Sequence, residues 1–146
     1  MLKFFFTIIL GFIFYACVKD KPQPIALQPI QLSSSNKVYV VNEGLFNAGN
    51  ASVSLYDAST DNVITDIFET QNAKNIGDVA QSISRVNGSF YVVVNNSNKV
   101  VVCDNNFKIK AQINELTSPR YLLAVSNQKA YVSDLYANTI SIVNLN

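Results

Sequence analysis

The chain contains no histidine and no tryptophan. Without histidine it lacks the commonest general base and the commonest metal ligand at neutral pH. Cysteine is scarce as well. Cys17 and Cys103 are the only two, in segments of opposite character, and no disulfide between them is expected. Charge is sparse, at 14% of residues. Lys3 is the only charged residue among the first sixteen, and the rest carries ten basic and ten acidic side chains. Binding to a phosphate backbone needs clustered Lys and Arg, and no such cluster occurs. Nucleic acid is therefore not an expected partner.

The residues that are present lean apolar, at 49%, in a chain of 146 residues. That length sets one folded domain at most. The apolar excess sits in two places: the first sixteen residues, and short Val/Ile/Tyr runs spaced along the remainder, a β-strand composition.

Residues 1–16 read as an export signal. Met1-Leu2-Lys3 is a short positive start, and Phe4–Ala16 is an uninterrupted apolar run of 13 residues. As a helix it would reach about 20 Å, against roughly 30 Å of membrane hydrocarbon, which suits a signal core better than a span. The run stops at Ala16-Cys17 and turns polar at Val18-Lys19-Asp20. This order resembles a bacterial lipoprotein signal, although Phe14-Tyr15 stands where that family usually has leucine and a small residue. The resemblance implies cleavage before Cys17, lipidation of Cys17 and attachment to a membrane, the outer membrane of the cell envelope being expected. Two or three acyl chains would hold firmly where one is marginal. An uncleaved anchor, or a plain secretory signal with an incidental cysteine, is the alternative. With Cys17 acylated, Cys103 has no partner. It ends the run Val100-Val101-Val102-Cys103 and reads as a small buried hydrophobe. Residues 17–36 hold three of the four prolines and Ser33-Ser34-Ser35, the composition of a tether. Within it, the alternation over Ile25–Ile30 could dock as an edge strand.

The remaining residues, 37–146, repeat. Val38–Asn42 with Ser52–Asp57, Phe90–Asn95 with Lys99–Asp104, and Ala130–Asp134 with Thr139–Asn144 each read as strand, polar turn, strand. Tyr39, Tyr91 and Tyr131 mark the units, with steps of 52 and 40. The longer step resolves into five extra residues near Glu43–Asn50 and seven near Glu69–Val79. A step near 40 with several short strands indicates propeller blades. Two further strands complete a unit. Val63–Phe68 corresponds to Phe107–Ile113, and Ser82–Val86 corresponds to Leu122–Ser126, with Asn-rich turns between. The expected fold is all-β: an incomplete β-propeller of four-stranded antiparallel blades. Fewer than three blades would form an open arc with uncovered end faces, from a truncated gene product or one that needs partners.

The segment Ala130–Asn144 resembles the YVTN-type repeat of bacterial surface-layer β-propellers, and the resemblance extends over about residues 37–146. The stretches VNEG, GDVAQS and SPRY resemble more narrowly the YncE-like surface lipoproteins of Bacteroidetes. The resemblance implies a non-catalytic ligand- or protein-binding module. Some relatives capture corrinoids beside an outer-membrane transporter, which makes a corrinoid-like ligand and such a transporter the implied partners. A structural surface-layer component, or a fragment of a propeller enzyme such as a lyase or quinoprotein, are the other readings.

No nucleophile with a base is found, no GxSxG, and no carboxylate pair spaced for acid/base work. The chain is expected not to be an enzyme, and to have no cofactor and no metal site. Asp57 and Asp104 occupy equivalent strand ends and read as Asx turns. Gly77-Asp78 and Asn42-Glu43-Gly44 are too short for phosphate loops. In an antiparallel blade both insertions emerge on one face. Loops tolerate variation and carry function. Glu43, Phe46, Asn47, Asp78, Gln81, Arg120, Asp134 and Tyr136 are therefore the candidate binding residues, with Arg120 the first cation to test.

Overall fold

The computed structural model describes residues 36–146, inside one compact unit, Ser33–Asn146. The signal segment, Cys17 and the tether up to residue 35 fall outside the described residues.

The described chain is all-β. Three antiparallel sheets follow one another in sequence. The first contains β1 (Lys37–Asn42), β2 (Ser52–Asp57) and β3 (Asn62–Ile64). The second contains β4 (Ala80–Val86), β5 (Ser89–Val94), β6 (Lys99–Cys103) and β7 (Ile109–Ile113). The third contains β8 (Pro119–Ser126), β9 (Lys129–Asp134) and β10 (Ser141–Asn144). Each is a meander of neighbours, as propeller blades are.

Two apolar cores join the sheets. Between the first and second lie Val53, Phe90, Val92, Val94, Val101 and Cys103, with Tyr39 and Val41 against them. Between the second and third lie Tyr91, Val93, Val100, Val102, Leu122, Val132 and Val143. Successive side chains of a strand point to opposite faces. Even positions of β5 therefore fill one core and odd positions the other, so all six residues of β5 are buried. That is why Phe90–Val94 does not alternate. Hydrogen bonds add rungs between β4 and β8. Ser82 Oγ donates to Arg120 O (2.8 Å) and Ser84 Oγ to Leu122 O (3.0 Å), and in the turns that follow the two strands Asn87 Nδ2 donates to Asn127 O (2.7 Å).

The structure corrects three sequence expectations. The strand expected over Val63–Phe68 ends at Ile64, and a short helix, α1 (Ile67–Asn72), follows. Asp66 and Ala73 bracket it in the left-handed region, at φ 54° and 53°. The helix lets Phe68 plug the first core, where it is fully buried. Second, β7 starts at Ile109 rather than Phe107, because Phe107 lies in the turn at φ 61° with its ring buried. Third, Ser82–Val86 and Leu122–Ser126 are not equivalent position by position. Ile83 pairs with Val92 and Leu122 with Val132, so Ile83 matches Leu122. A β-bulge between Ala124 and Ser126 then restores the spacing at the turn.

The Asx turns form as expected. Asp57 Oδ1 accepts the N–H of Ser59 (2.9 Å), and Asp104 Oδ1 accepts those of Asn106 (2.8 Å) and Lys108 (2.9 Å). Cys103 is a free, fully buried thiol. Burial, aided by the charge of Asp104, pushes its pKa up to about 12.

Candidate functional site

Antiparallel pairing gathers five connections at one end of the sheets: residues 43–51, 65–79, 95–98, 114–118 and 135–140. Both insertions lie here. A line of hydrogen bonds runs through them from the first sheet to the third.

Asp78 is the first node. Its Oδ2 accepts the N–H of Asn47 (2.8 Å) and its Oδ1 that of Gly49 (3.4 Å), so the carboxylate latches the long β1–β2 loop. The side-chain amide of Asn96 also donates to Asp78 Oδ2, and to Asn47 Oδ1 (2.9 Å). Asn96 does most to hold the Asp78 carboxyl below its ordinary range. Burial opposes this, and the N–H groups of Asn47, Gly49 and Ala48 assist it. Gly77 makes the close approach possible. A Cβ there would stand 2.6 Å from Ser97 Oγ and 2.9 Å from Val94 Cγ1.

Asn95 is the second node. It is buried, and its Nδ2 donates to Ser118 Oγ and Pro119 O, both at 2.9 Å. Asp134 is the third. Its oxygens accept the N–H groups of Ser118 (2.7 Å), Tyr136 (2.9 Å) and Ala137 (3.0 Å). Burial pushes Asp134 upward, and these N–H groups outweigh it, so its carboxyl also lies below the usual range. Both acids are acceptors for the fold.

Gln81 and Arg120 differ. The register of β4 slips between Ala80 and Ser82, and that of β8 between Pro119 and Leu122. Ala80 pairs with Val94 and Pro119 with Asp134, so Gln81 and Arg120 occupy the same bulge position in consecutive sheets. A bulge leaves one residue out of the ladder and re-aims its side chain. Gln81 Oε1 is shielded from solvent and has no hydrogen-bond partner. A buried, unpaired amide oxygen costs free energy and calls for an explanation. Arg120 is half-buried as a residue, and its guanidinium forms no hydrogen bond or ion pair among the described residues.

The candidates thus fall into groups. Asn47 joins Asp78. Asp134 joins Tyr136 through the backbone. Gln81 and Arg120 share the bulge. Glu43, Phe46 (70% exposed) and Tyr136 (77% exposed) stand at the same end without side-chain bonds to the rest among the described residues. Sequence reasoning missed Asn72, and it reads Asn95 and Asn96 as tight-turn residues or, on a functional reading, as part of a polar rim, without distinguishing their separate roles. Asn95 directly follows the apolar run Phe90–Val94, the signal that could have marked it as buried, and the half-buried Asn96 comes next. Among the described residues, no three His, Cys, Asp or Glu side chains stand close enough to hold a metal.

No curated protein matches the chain at a significant level. The family model described as a domain of unknown function, DUF5074, matches residues 36–146, the same span that folds into the three sheets. The chain belongs to the DUF5074 family.

Proposed function

We propose that this protein is a cell-envelope lipoprotein whose sheets form a non-catalytic binding module, with the loop-bearing end as its recognition surface. The observation that carries this reading is the repeated bulge. It sets an unpaired amide oxygen, Gln81 Oε1, and an unpaired guanidinium, Arg120, at equivalent positions on adjoining strands. A buried acceptor and a cation at matching positions of β4 and β8, the cation without a bond among the described residues, suit a ligand that offers N–H donors and an anionic oxygen together. Corrinoids have that chemistry: peripheral amides and a phosphodiester. Latched loops support the reading, because a preformed site loses less entropy on binding.

The anchor belongs to the same proposal. Acylated Cys17 and the Pro/Ser tether would hold the module on the outer membrane, where a transporter could receive its ligand. Two experiments test the two halves. Cys17→Ala should release the protein from the membrane fraction and abolish the acyl mass increment; unchanged retention would remove the anchor. Titration calorimetry with cyanocobalamin should show saturable binding that weakens at least tenfold in Arg120→Ala and Gln81→Leu. Loss of binding on changing the opposite-end turns at Asn87 and Asn105, with full binding in the loop variants, would place the site elsewhere.

A further inference from the structure

The first and second sheets do not close completely on each other. Tyr39, Leu55 and Ile64 are register partners and form one row across the first sheet. The equivalent row in the second sheet, Tyr91, Val102 and Ala111, has Tyr91 and Val102 buried against the third. The row in the first sheet instead lines a cleft of about 360 Å³, and Ile64 stays 48% exposed. Phe107 packs against Tyr39, and together they form the floor of the cleft. The Phe107 ring is stacked on Phe90 at 4.5 Å and tilted against Tyr39 at 5.3 Å between centroids.

The outer side of the cleft is α1, through Ile67 and Gln71. The helix is fixed to the second sheet. Asn72 Nδ2 donates to Phe107 O (2.8 Å), Ile109 N to Asn72 Oδ1 (3.0 Å), and Lys108 Nζ to Gln71 O (2.8 Å). These three bonds fix α1 in place as one side of the cleft. The mouth is cationic. Lys37 lines it, Lys108 lies on its helix side, and Arg85 Nη2 donates to the lining residue Asn105 (2.9 Å). Asp57, the register partner of Lys37, and Asp104 keep their negative charge while accepting bonds within their own turns, so the three cations outnumber two acids at this rim.

We propose that this cleft is a second ligand site, separate from the loop-bearing end, for a small apolar anion: a flat aromatic or aliphatic body with one carboxylate or sulfonate. The volume is that of a small-molecule site, and the lining pairs an apolar side (Leu55, Ile64, Ile67 and the Tyr39 and Phe107 rings) with a polar one (Thr70, Gln71, Asn105, Asn106). The body lies on the floor that Tyr39 and Phe107 form together, between the Leu55–Ile64 side and α1. The anionic group meets Lys37.

The test uses the full chain with methyl-labelled Leu and Ile, titrated with naphthalene-2-sulfonate and followed by NMR. Saturable shifts at Leu55, Ile64 and Ile67, absent at the exposed Leu123 and Ile142, are expected. Ile64→Trp, which fills the cleft, should abolish them. Lys37→Glu should weaken the affinity about tenfold, while 2-naphthalenemethanol, the uncharged analogue, should bind Lys37→Glu and the parent alike. Arg120→Ala should leave this titration unchanged, so failure here and failure of the loop-end site are distinguishable. Equal, unsaturable shifts at Leu123 and Ile142, or an unchanged affinity in Lys37→Glu, would overturn the proposal.

Discussion

The second and third sheets are built from the same strand-turn-strand text and end in different surroundings. Tyr91 and Tyr131 are equivalent, as are Val102 and Ile142, which face them across the pairing. Val102 is 7% exposed and Ile142 67%. β5 is buried at every position, whereas β9 buries only Ala130 and Val132. The difference is not in strand propensity, because both sheets are rich in Val, Ile and Tyr. It lies in neighbours: the second sheet is covered on both faces, and the third has one face without a neighbour among the described residues. That face carries Tyr121, Leu123, Val125 and Ile142, all exposed. Equivalent sequence positions thus have unequal energetic weight.

Substitutions at paired positions put that contrast to the test. The largest effect is expected from charge. Val102→Asp buries an unpaired carboxylate and should cost on the order of 4 kcal/mol, most of a small domain's stability. Ile142→Asp should stay within about 0.5 kcal/mol, as exposed changes do. Urea unfolding followed by circular dichroism measures both, and equal losses would erase the distinction. Truncation comes next. Tyr91→Ala should lose about 3 kcal/mol and Tyr131→Ala less than about 1 kcal/mol on the same scale.

A smaller, local effect is expected at the Asp78 latch. Its carboxyl is lowered by Asn96 first, against burial and with the backbone N–H groups. A lowered carboxyl stabilises the fold above the ordinary carboxylate pKa of about 4, and that support is lost as pH falls through the lowered value. The amides of Asn47 and Gly49 should keep their hydrogen-exchange protection at pH 5 and lose it on further acidification. In Asp78→Asn the protection should be weak at both pH values. The smallest effect is a null one. Cys103, with its pKa at about 12, should resist a thiol reagent at pH 8 while folded and react in urea, by mass of its peptide.

Much of the architecture was legible in the chain. The three tyrosine-marked units, the turn aspartates and the positions of both insertions follow from counting, because strands and tight turns write themselves in apolar runs and Asn/Asp/Gly pairs. What stayed hidden has local causes. α1 is six residues long, too short to display a helical period, and the left-handed residues that bracket it, Asp66 and Ala73, are not glycines. The cleft followed from that helix and was hidden with it. At the loop-bearing end the candidates were legible as a group because topology brings them to one end. Their separate roles were not. Nothing in the sequence distinguishes Asp78 and Asp134, whose oxygens hold loops, from Gln81 and Arg120, whose polar atoms stay unpaired. Only the bulge does, and the second bulge at Val125 shifts the comparison of β4 with β8 by one residue.

The bulge at Val125 has a consequence for how such a chain can change over generations. The blades are kept in step by hydrogen-bond register, and residue count is secondary to it. Because Val125 lies outside the ladder, a residue gained or lost there leaves Leu122 and Val132 facing the core, and the event is nearly silent. The same event at Val132 would turn the rest of β9 over, so that Ser133 faced the core. Length drift therefore accumulates at the kinks, and the strands between them behave as words that can be respelled but not re-spaced.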